Sequence, residues 1–346
     1  MTTLDAGSMA QPLAAWARAH RRPDATVRDV APMPGNAGLS FGFRVEVPDA
    51  PDAPSERLVV RLAPPGVRRR GNTDVLRQVP LLDALDAGGV PVAPVLWSTD
   101  DPAWFGTDAL VQPYLDALPV PMHLAPGERA PSEDLVHARL RAAVDALAVL
   151  HAVDPGSPGH DLTGWSEPVT AASEVAFWGR LLERSPDADL VELGRRLGAE
   201  LVESDPGGHR TGVFHGDFQT HNVLYAADGA LAAVIDWEIA GLGPVGLDLG
   251  WLQMMVDPAC WHAERRAVLA TPCDPAVLEE WYAAATGRPV EHAAWYRAWA
   301  CFRYGAIAAF NLHLHTSGRR PDEVSVLMGG GCADLFRAGL RLVAEH

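Results

Sequence analysis

Beyond position 114 the sequence carries helical periodicity almost to its end, and one short stretch, 212–237, interrupts it with β-like runs. Helical patterns cover 132–152, 171–185, 187–204, 246–256, 274–286, 291–313 and 322–344. The first of them sets Leu135, Leu140, Val144, Leu147 and Leu150 at helical spacings, behind a cap signature of Ser132, Glu133 and Asp134. The region before 111 reads differently. A helix is expected over 8–20, then strand runs at 27–47 and 57–62 joined by the turn-rich PDAPDAPSE. A helical stretch at 74–87 contains Pro80, which must start or kink it, and DALVQPY at 108–114 predicts a further strand. The layout is α+β: a small antiparallel-sheet lobe over 1–111, a hinge at 112–116 and a large, mainly helical lobe over 117–346.

What the chain lacks narrows its chemistry. All 28 basic residues are arginine. With no lysine there is no Schiff base, no PLP anchor, no Walker-A lysine and no lysine base, so a basic contact to phosphate must come from Arg or a protonated His. Against them stand 44 acidic residues, for a net charge of −16, a poor basis for binding nucleic acid or an anionic membrane. No apolar run is long enough to span a membrane, and the N-terminus has no signal-peptide pattern. Cys260, Cys273, Cys301 and Cys332 show no CxxC spacing and fit reduced thiols in a cytoplasmic protein.

The chemistry concentrates in the β island. His215-Gly216-Asp217 is followed by Asn222, and the runs NVLY and LAAVI flank an Asp228-Gly229 turn before Asp236. Asp217, on a loop, can accept a proton from a hydroxyl. Asn222 and Asp236, at adjoining ends of paired strands, offer hard oxygens of the kind Mg²⁺ takes beside nucleotide phosphates. One carboxylate for the nucleophile, with an Asn and an Asp for metal, is the equipment of phosphoryl transfer to an alcohol.

HGDxxxxN, then IDW, then the Asp of GLDLG resemble the aminoglycoside phosphotransferase/choline kinase-like family, over roughly 27–345. The resemblance implies a two-lobed protein-kinase-like fold that uses ATP and Mg²⁺. It implies Asp217 as catalytic base, Asn222 and Asp236 as metal ligands, Asp248 as a brace of the loop through backbone hydrogen bonds, and His215 as a further support. His221 reads as a polar loop residue. A phosphate-covering loop falls at Gly35, Asn36, Gly38 and Ser40. Arg61, in LVVRLAPP, falls where kinases carry the phosphate-pairing lysine. Aligning by the GVPV tail puts Gln78 where the family has glutamate, with Asp74 and Asp83 as possible replacements. The implied hinge is Gln112-Pro113-Tyr114-Leu115, and Pro113 has no N–H to give.

AVLEEWYAAATGRPV and YRAWACFRYGAIAAF resemble the tail of the subgroup that includes the acyl-CoA-dehydrogenase-associated phosphotransferases. That implies a hydroxyacyl-type acceptor, whereas an aminoglycoside-like acceptor is a cation that suits the acidic chain. Candidate acceptor contacts are Glu238, Trp251, Asp257, Arg303 and Tyr304, with Trp281, Tyr282, Trp295 and Tyr296 beside them. The expectation is a cytoplasmic small-molecule O-phosphotransferase. The alternative, motivated by Gln78 and Arg61, is a nucleotide-binding pseudokinase.

Overall fold

The computed structural model describes residues 5–33, 39–47, 55–67, 69 and 73–346. The chain separates into two units. One comprises Met1–Ala117 with Pro158–Trp165 and Ala232–Ile239; the other comprises Leu118–Ser157, Ser166–Leu231 and Ala240–His346. The linear division at 111 and 117 contained neither of the two returns, 158–165 and 232–239.

In the first unit α1 (Ala6–His20) starts at a capping box: the Asp5 carboxylate accepts the Ser8 N–H at 2.8 Å and the Ser8 hydroxyl accepts the Asp5 N–H at 2.9 Å. There follow β1 (Thr26–Pro32), β2 (Leu39–Glu46), β3 (Glu56–Leu62), α2 (Gln78–Ala87), β4 (Trp97–Thr99), α3 (Pro102–Phe105) and β5 (Ala109–Pro113). The five strands form one antiparallel sheet in the order β1-β2-β3-β5-β4. The period of two in β3 turns Leu58, Val60 and Leu62 into a core with Phe41, Phe43 and Val45 of β2 and Leu13 and Trp16 of α1. Arg57 and Arg61 therefore stand on the other face, and the register sets Arg61 opposite Ser40 of β2 and Leu110 of β5. Pro80 lies in the first turn of α2, where its missing N–H breaks no helical bond, and a 3₁₀ turn capped by Asp74 leads into it.

Past β6 (Ala117–Pro119) come α4 (Glu133–Ala152), α5 (Ala171–Leu182), α6 (Ala188–Glu203), β7 (Thr211–Phe214), β8 (Val223–Ala226), β9 (Leu231–Val234) and β10 (Gly241–Pro244). They are followed by α7 (Gly246–Val256), α8 (Ala263–Ala267), α9 (Pro275–Thr286), α10 (Ala293–Thr316), α11 (Glu323–Gly329) and α12 (Cys332–Ala344). The Ser132 hydroxyl caps α4 by accepting the Leu135 N–H. The core of the second unit gathers on α10, where Trp295, Trp299 and Phe302 pack with Leu335 and Phe336 of α12 and Trp251 of α7. β7 and β10 pair antiparallel. The single helix expected over 322–344 is two: Gly330 and Gly331 stand between α11 and α12, and consecutive glycines are poor helix formers. All four cysteines are buried and unbridged. Among the described residues no helix is long and apolar enough to cross a membrane.

Candidate active site

β7 delivers the chain into His215-Gly216-Asp217. Gly216 holds φ at +86°, a left-handed value that a side chain would strain. Asp248, in the first turn of α7, carries this bend: its carboxylate accepts the N–H groups of His215 and Gly216, each at 2.7 Å. His151 Nε2 lies 3.2 Å from the same carboxylate, and its Nδ1 lies 2.7 Å from the Tyr282 hydroxyl. Both His215 and Asp248 are fully buried. Burial alone would raise the Asp248 carboxyl; the His151 contact and the backbone N–H bond outweigh it and hold it below the usual range. The Tyr282 hydroxyl is pushed up to about 12 by burial.

On this footing Asp217 is held by its side-chain neighbours. Gln219 Nε2 donates to Asp217 Oδ1 at 2.7 Å, and Asn222 Nδ2 donates to Oδ2 at 3.0 Å and to the Asp217 backbone oxygen at 2.9 Å. The Asp217 N–H donates to His215 Nδ1 at 3.2 Å. With its nitrogen engaged twice, Asn222 keeps Oδ1, a hard amide oxygen, as its acceptor atom.

Tyr304 of α10 meets Trp251 and Trp261 edge-on, with ring centroids 5.6 Å away in each case. Burial, and then the Asp217 carboxylate, raise its hydroxyl far above an ordinary phenol, so Tyr304 lies within electrostatic reach of Asp217. Arg265 of α8 lies over the Trp261 ring at 5.1 Å. It is fully buried, and its Nε and Nη1 have no hydrogen-bond partner among the described residues. Burial pulls the guanidinium below its usual range, with Tyr304 opposing the shift. Sequence reasoning missed Arg265: AERRA carries no sign that one arginine turns inward.

The other acceptor candidates are packed inside the second unit. Trp251 is buried in the core, and Arg303 stacks over Trp178, Phe214 and Trp251 with Glu174 at 3.3 Å. Asp257 caps the turn Pro258–Cys260 and lies 3.4 Å from Arg297.

In the first unit Arg61 Nη1 donates to Gln78 Oε1 at 3.1 Å, and Nη2 donates to Glu238 Oε1 at 3.0 Å. Gln78 therefore stands where the GVPV alignment put it, while Asp74 is occupied as a cap. Glu238, read from sequence as an acceptor contact, pairs with the arginine in this structure. Asp236 has φ of +68°, a conformation that Asp and Asn tolerate better than other side chains. In the segment read from sequence as the hinge, Gln112 Nε2 donates to Ala93 O at 2.7 Å and the Tyr114 N–H donates to Arg57 O at 2.9 Å, with the Arg57 guanidinium 3.8 Å over the Tyr114 ring. Gly35, Asn36 and Gly38 lie outside the described residues; Ser40 sits in β2 opposite Arg61.

Comparison with known proteins identifies the family and the fold. Residues 34–284 match the sequence profile of the phosphotransferase enzyme family. A curated relative from Arabidopsis thaliana, named probable acyl-CoA dehydrogenase IBR3, is 26% identical over 287 residues, which cover 73% of this chain and 32% of that protein. The chain thus spans about a third of the length of that relative. Among solved structures, a provisionally named aminoglycoside phosphotransferase of Ralstonia eutropha superposes with a TM-score of 0.76 at 21% identity, covering 97% of this chain and 98% of that one. The choline kinase LicA of Streptococcus pneumoniae superposes with a TM-score of 0.57 at 14% identity, covering 98% and 99%. The fold is the kinase-like one.

Proposed function

The chain belongs to the phosphotransferase enzyme family as a small-molecule kinase, and from that premise we propose an ATP- and Mg²⁺-dependent O-phosphotransferase whose acceptor is a hydroxyl on a small, anionic, hydroxyacyl-type compound. The observation that carries the reading is Asp217, a loop carboxylate fixed by Gln219 and Asn222 above a bend that Asp248 clamps through main-chain N–H groups. Asp217 accepts the proton of the attacking hydroxyl, and the rate comes mainly from alignment and charge neutralisation.

Asn222 and Asp236 are the oxygen donors suited to Mg²⁺, which when bound would neutralise triphosphate charge. Arg61 contacts the phosphates, together with Ser40 and the Gly35, Asn36 and Gly38 segment. The Tyr114 amide is engaged by Arg57, so Leu115 supplies the N–H for the adenine edge, with Gln112 and Tyr114 holding the strand that presents it. The four buried, unbridged thiols suit a cytoplasmic setting.

Arg265 favours an anionic acceptor over an aminoglycoside. A buried guanidinium whose Nε and Nη1 find no partner among the described residues, and which shares the Trp261 ring with Tyr304, makes a positive field that favours a carboxylate or phosphate over a polycation. The name of the Arabidopsis relative sets a chain of this kind beside acyl-CoA chemistry. The test is ADP formation with Mg²⁺ and ATP across hydroxyacids, hydroxyacyl thioesters and aminoglycosides. Turnover confined to the anionic alcohols is expected. Preferential aminoglycoside turnover would overturn the acceptor assignment, and turnover unaffected by Asp217→Asn would overturn the base.

A further inference from the structure

Arg61 takes its two partners from distant parts of the chain. Glu238 arrives on the return Ala232–Ile239, which the Val234 N–H ties to Pro91 O at 2.7 Å. Gln78 is the first residue of α2, so its reach to Arg61 depends on where that helix begins. Leu81, Leu82 and Leu85 bury one side of α2, but apolar contact is non-directional and does not fix the height of the helix. At its start Arg77 makes no side-chain cap.

The other return, Pro158–Trp165, comes to that start. Trp165 Nε1 donates to Arg77 O at 2.8 Å, and the Arg77 guanidinium lies 4.0 Å over the Trp165 ring. The polar edge and the aromatic face of one side chain thus meet the residue next to Gln78. A half-buried indole could give its N–H to water; here a single main-chain oxygen receives it. The return itself is braced. The Asp161 carboxylate accepts the Thr163 N–H at 2.8 Å and the Thr163 hydroxyl at 2.7 Å, and the Trp165 N–H donates to the oxygen of buried Leu162 at 2.9 Å.

We propose that Trp165 is a positioning residue of the phosphate clamp: it pins the start of α2, and so keeps Gln78 on Arg61 Nη1 while Nη2 exchanges Glu238 for a phosphate oxygen. Gln78 suits this part, because a neutral amide oxygen orients a guanidinium without competing for its charge. Without the pin, Arg61 retains only the partner that the nucleotide must displace, and its fork is no longer held ready for phosphate. The effect on nucleotide rests on the phosphotransferase reading; the pin itself does not.

Amide exchange in the unliganded whole chain tests the pin. Trp165→Ala should speed exchange through α2 at least about fivefold while β3 keeps its wild-type rates. Trp165→Phe keeps a ring for Arg77 but has no N–H, and should fall between the two. Wild-type exchange through α2 in both variants overturns the pin. Calorimetric titration with Mg²⁺-ATP and with adenosine reads the consequence. The Kd for ATP should rise at least about threefold in Trp165→Ala, with adenosine within about twofold of wild type. Equal weakening of both nucleotides, as from general damage to the fold, overturns the positioning role, as does unchanged ATP affinity. Gln78→Ala added to Trp165→Ala should cost little further ATP affinity, because the contact is already loose; losses that multiply overturn the route through Gln78. The exchange measurement uses no nucleotide and no acceptor, so its failure is distinguishable from failure of the phosphotransferase assignment.

Discussion

The 215–217 loop and the Arg61 clamp use the same materials, carboxylates and N–H donors, and fix them in opposite ways. In the loop the donors are main-chain amides converging on a fully buried Asp248, so they cannot rotate away. In the clamp the two bonds that Arg61 makes, to Gln78 and Glu238, are side chain to side chain, and Arg61 and Glu238 keep 21% and 12% of their side-chain surface exposed. The difference assigns distinct tasks. A base must be in place before the hydroxyl arrives, and main-chain bonds secure that. A phosphate clamp must exchange partners, and a guanidinium on flexible stems can leave a carboxylate for a phosphate.

The sharpest way to break this contrast is to change the base itself. Asp217→Asn should lower turnover by about 10²–10⁴-fold, the range of a lost acid–base group, while ATP binding persists. Steady-state kinetics and nucleotide titration check both halves. Next in size, Asp248→Asn should cost about 3–5 kcal/mol in denaturant unfolding, because amides and a histidine lose a buried anion. Glu238→Gln should cost under about 2 kcal/mol, since its partner keeps solvent and Gln78. Equal costs would erase the distinction between a fixed loop and an adjustable clamp. The pH dependence has a definite sign. The folded-state pKa of Asp248 is depressed, so its stabilisation is complete above the unfolded carboxyl value of about 3.9 and is lost as pH falls through the lower folded value. Acid unfolding below about pH 4 should therefore be shallower in Asp248→Asn than in wild type.

Arg265 gives a third, smaller effect in which stability and function part. Replacing a buried guanidinium whose Nε and Nη1 lack partners among the described residues by Met removes a desolvated charge, so the unliganded protein should be as stable as wild type or about 1 kcal/mol more so. The KM for an anionic acceptor should rise at least about tenfold, with the KM for ATP unchanged. A thermal melt alongside two-substrate kinetics measures this. A large loss of stability with an unchanged acceptor KM would make Arg265 a structural residue.

What could be read from the sequence follows from how local each signal is. α4 and α6 carry apolar spacing over several turns, α4 adds a cap, and α7 is apolar nearly all round. α8 has five residues, too few to show a period, and the apolar pattern runs straight across Gly330 and Gly331, which hid the break before α12. The loop was legible because Asp217 and Asn222 are five positions apart and bond directly. The Arg61–Gln78 contact spans 17 positions and was reached through the GVPV register, whereas Glu238 lies 177 positions from Arg61 and no local rule joins them. The inward turn of Arg265 is tertiary, set by the docking of α8 near Trp261, and its residue type alone argues for solvent.

The smallest expected effect asks whether the clamp works as one network. Arg61 reaches Gln78 and Glu238 with separate nitrogens, which a lysine ammonium cannot reproduce as a fork. Arg61→Lys should raise the Kd for ATP by about three- to tenfold and leave adenosine unaffected, because only ATP carries the phosphates. Gln78→Glu in the native background adds a second carboxylate to the guanidinium and should weaken ATP as well, by competing with the nucleotide for the same charge. In the Arg61→Lys background the same change supplies the ammonium with a close counter-ion at the helix, and part of the loss should return. The cycle then has a coupling of about 0.5–3 kcal/mol with a compensating sign. Additive losses would mean that the contact between Arg61 and Gln78 does not persist once nucleotide is bound. In that case Glu238 alone positions the arginine, and the clamp is a simple ion pair that phosphate displaces.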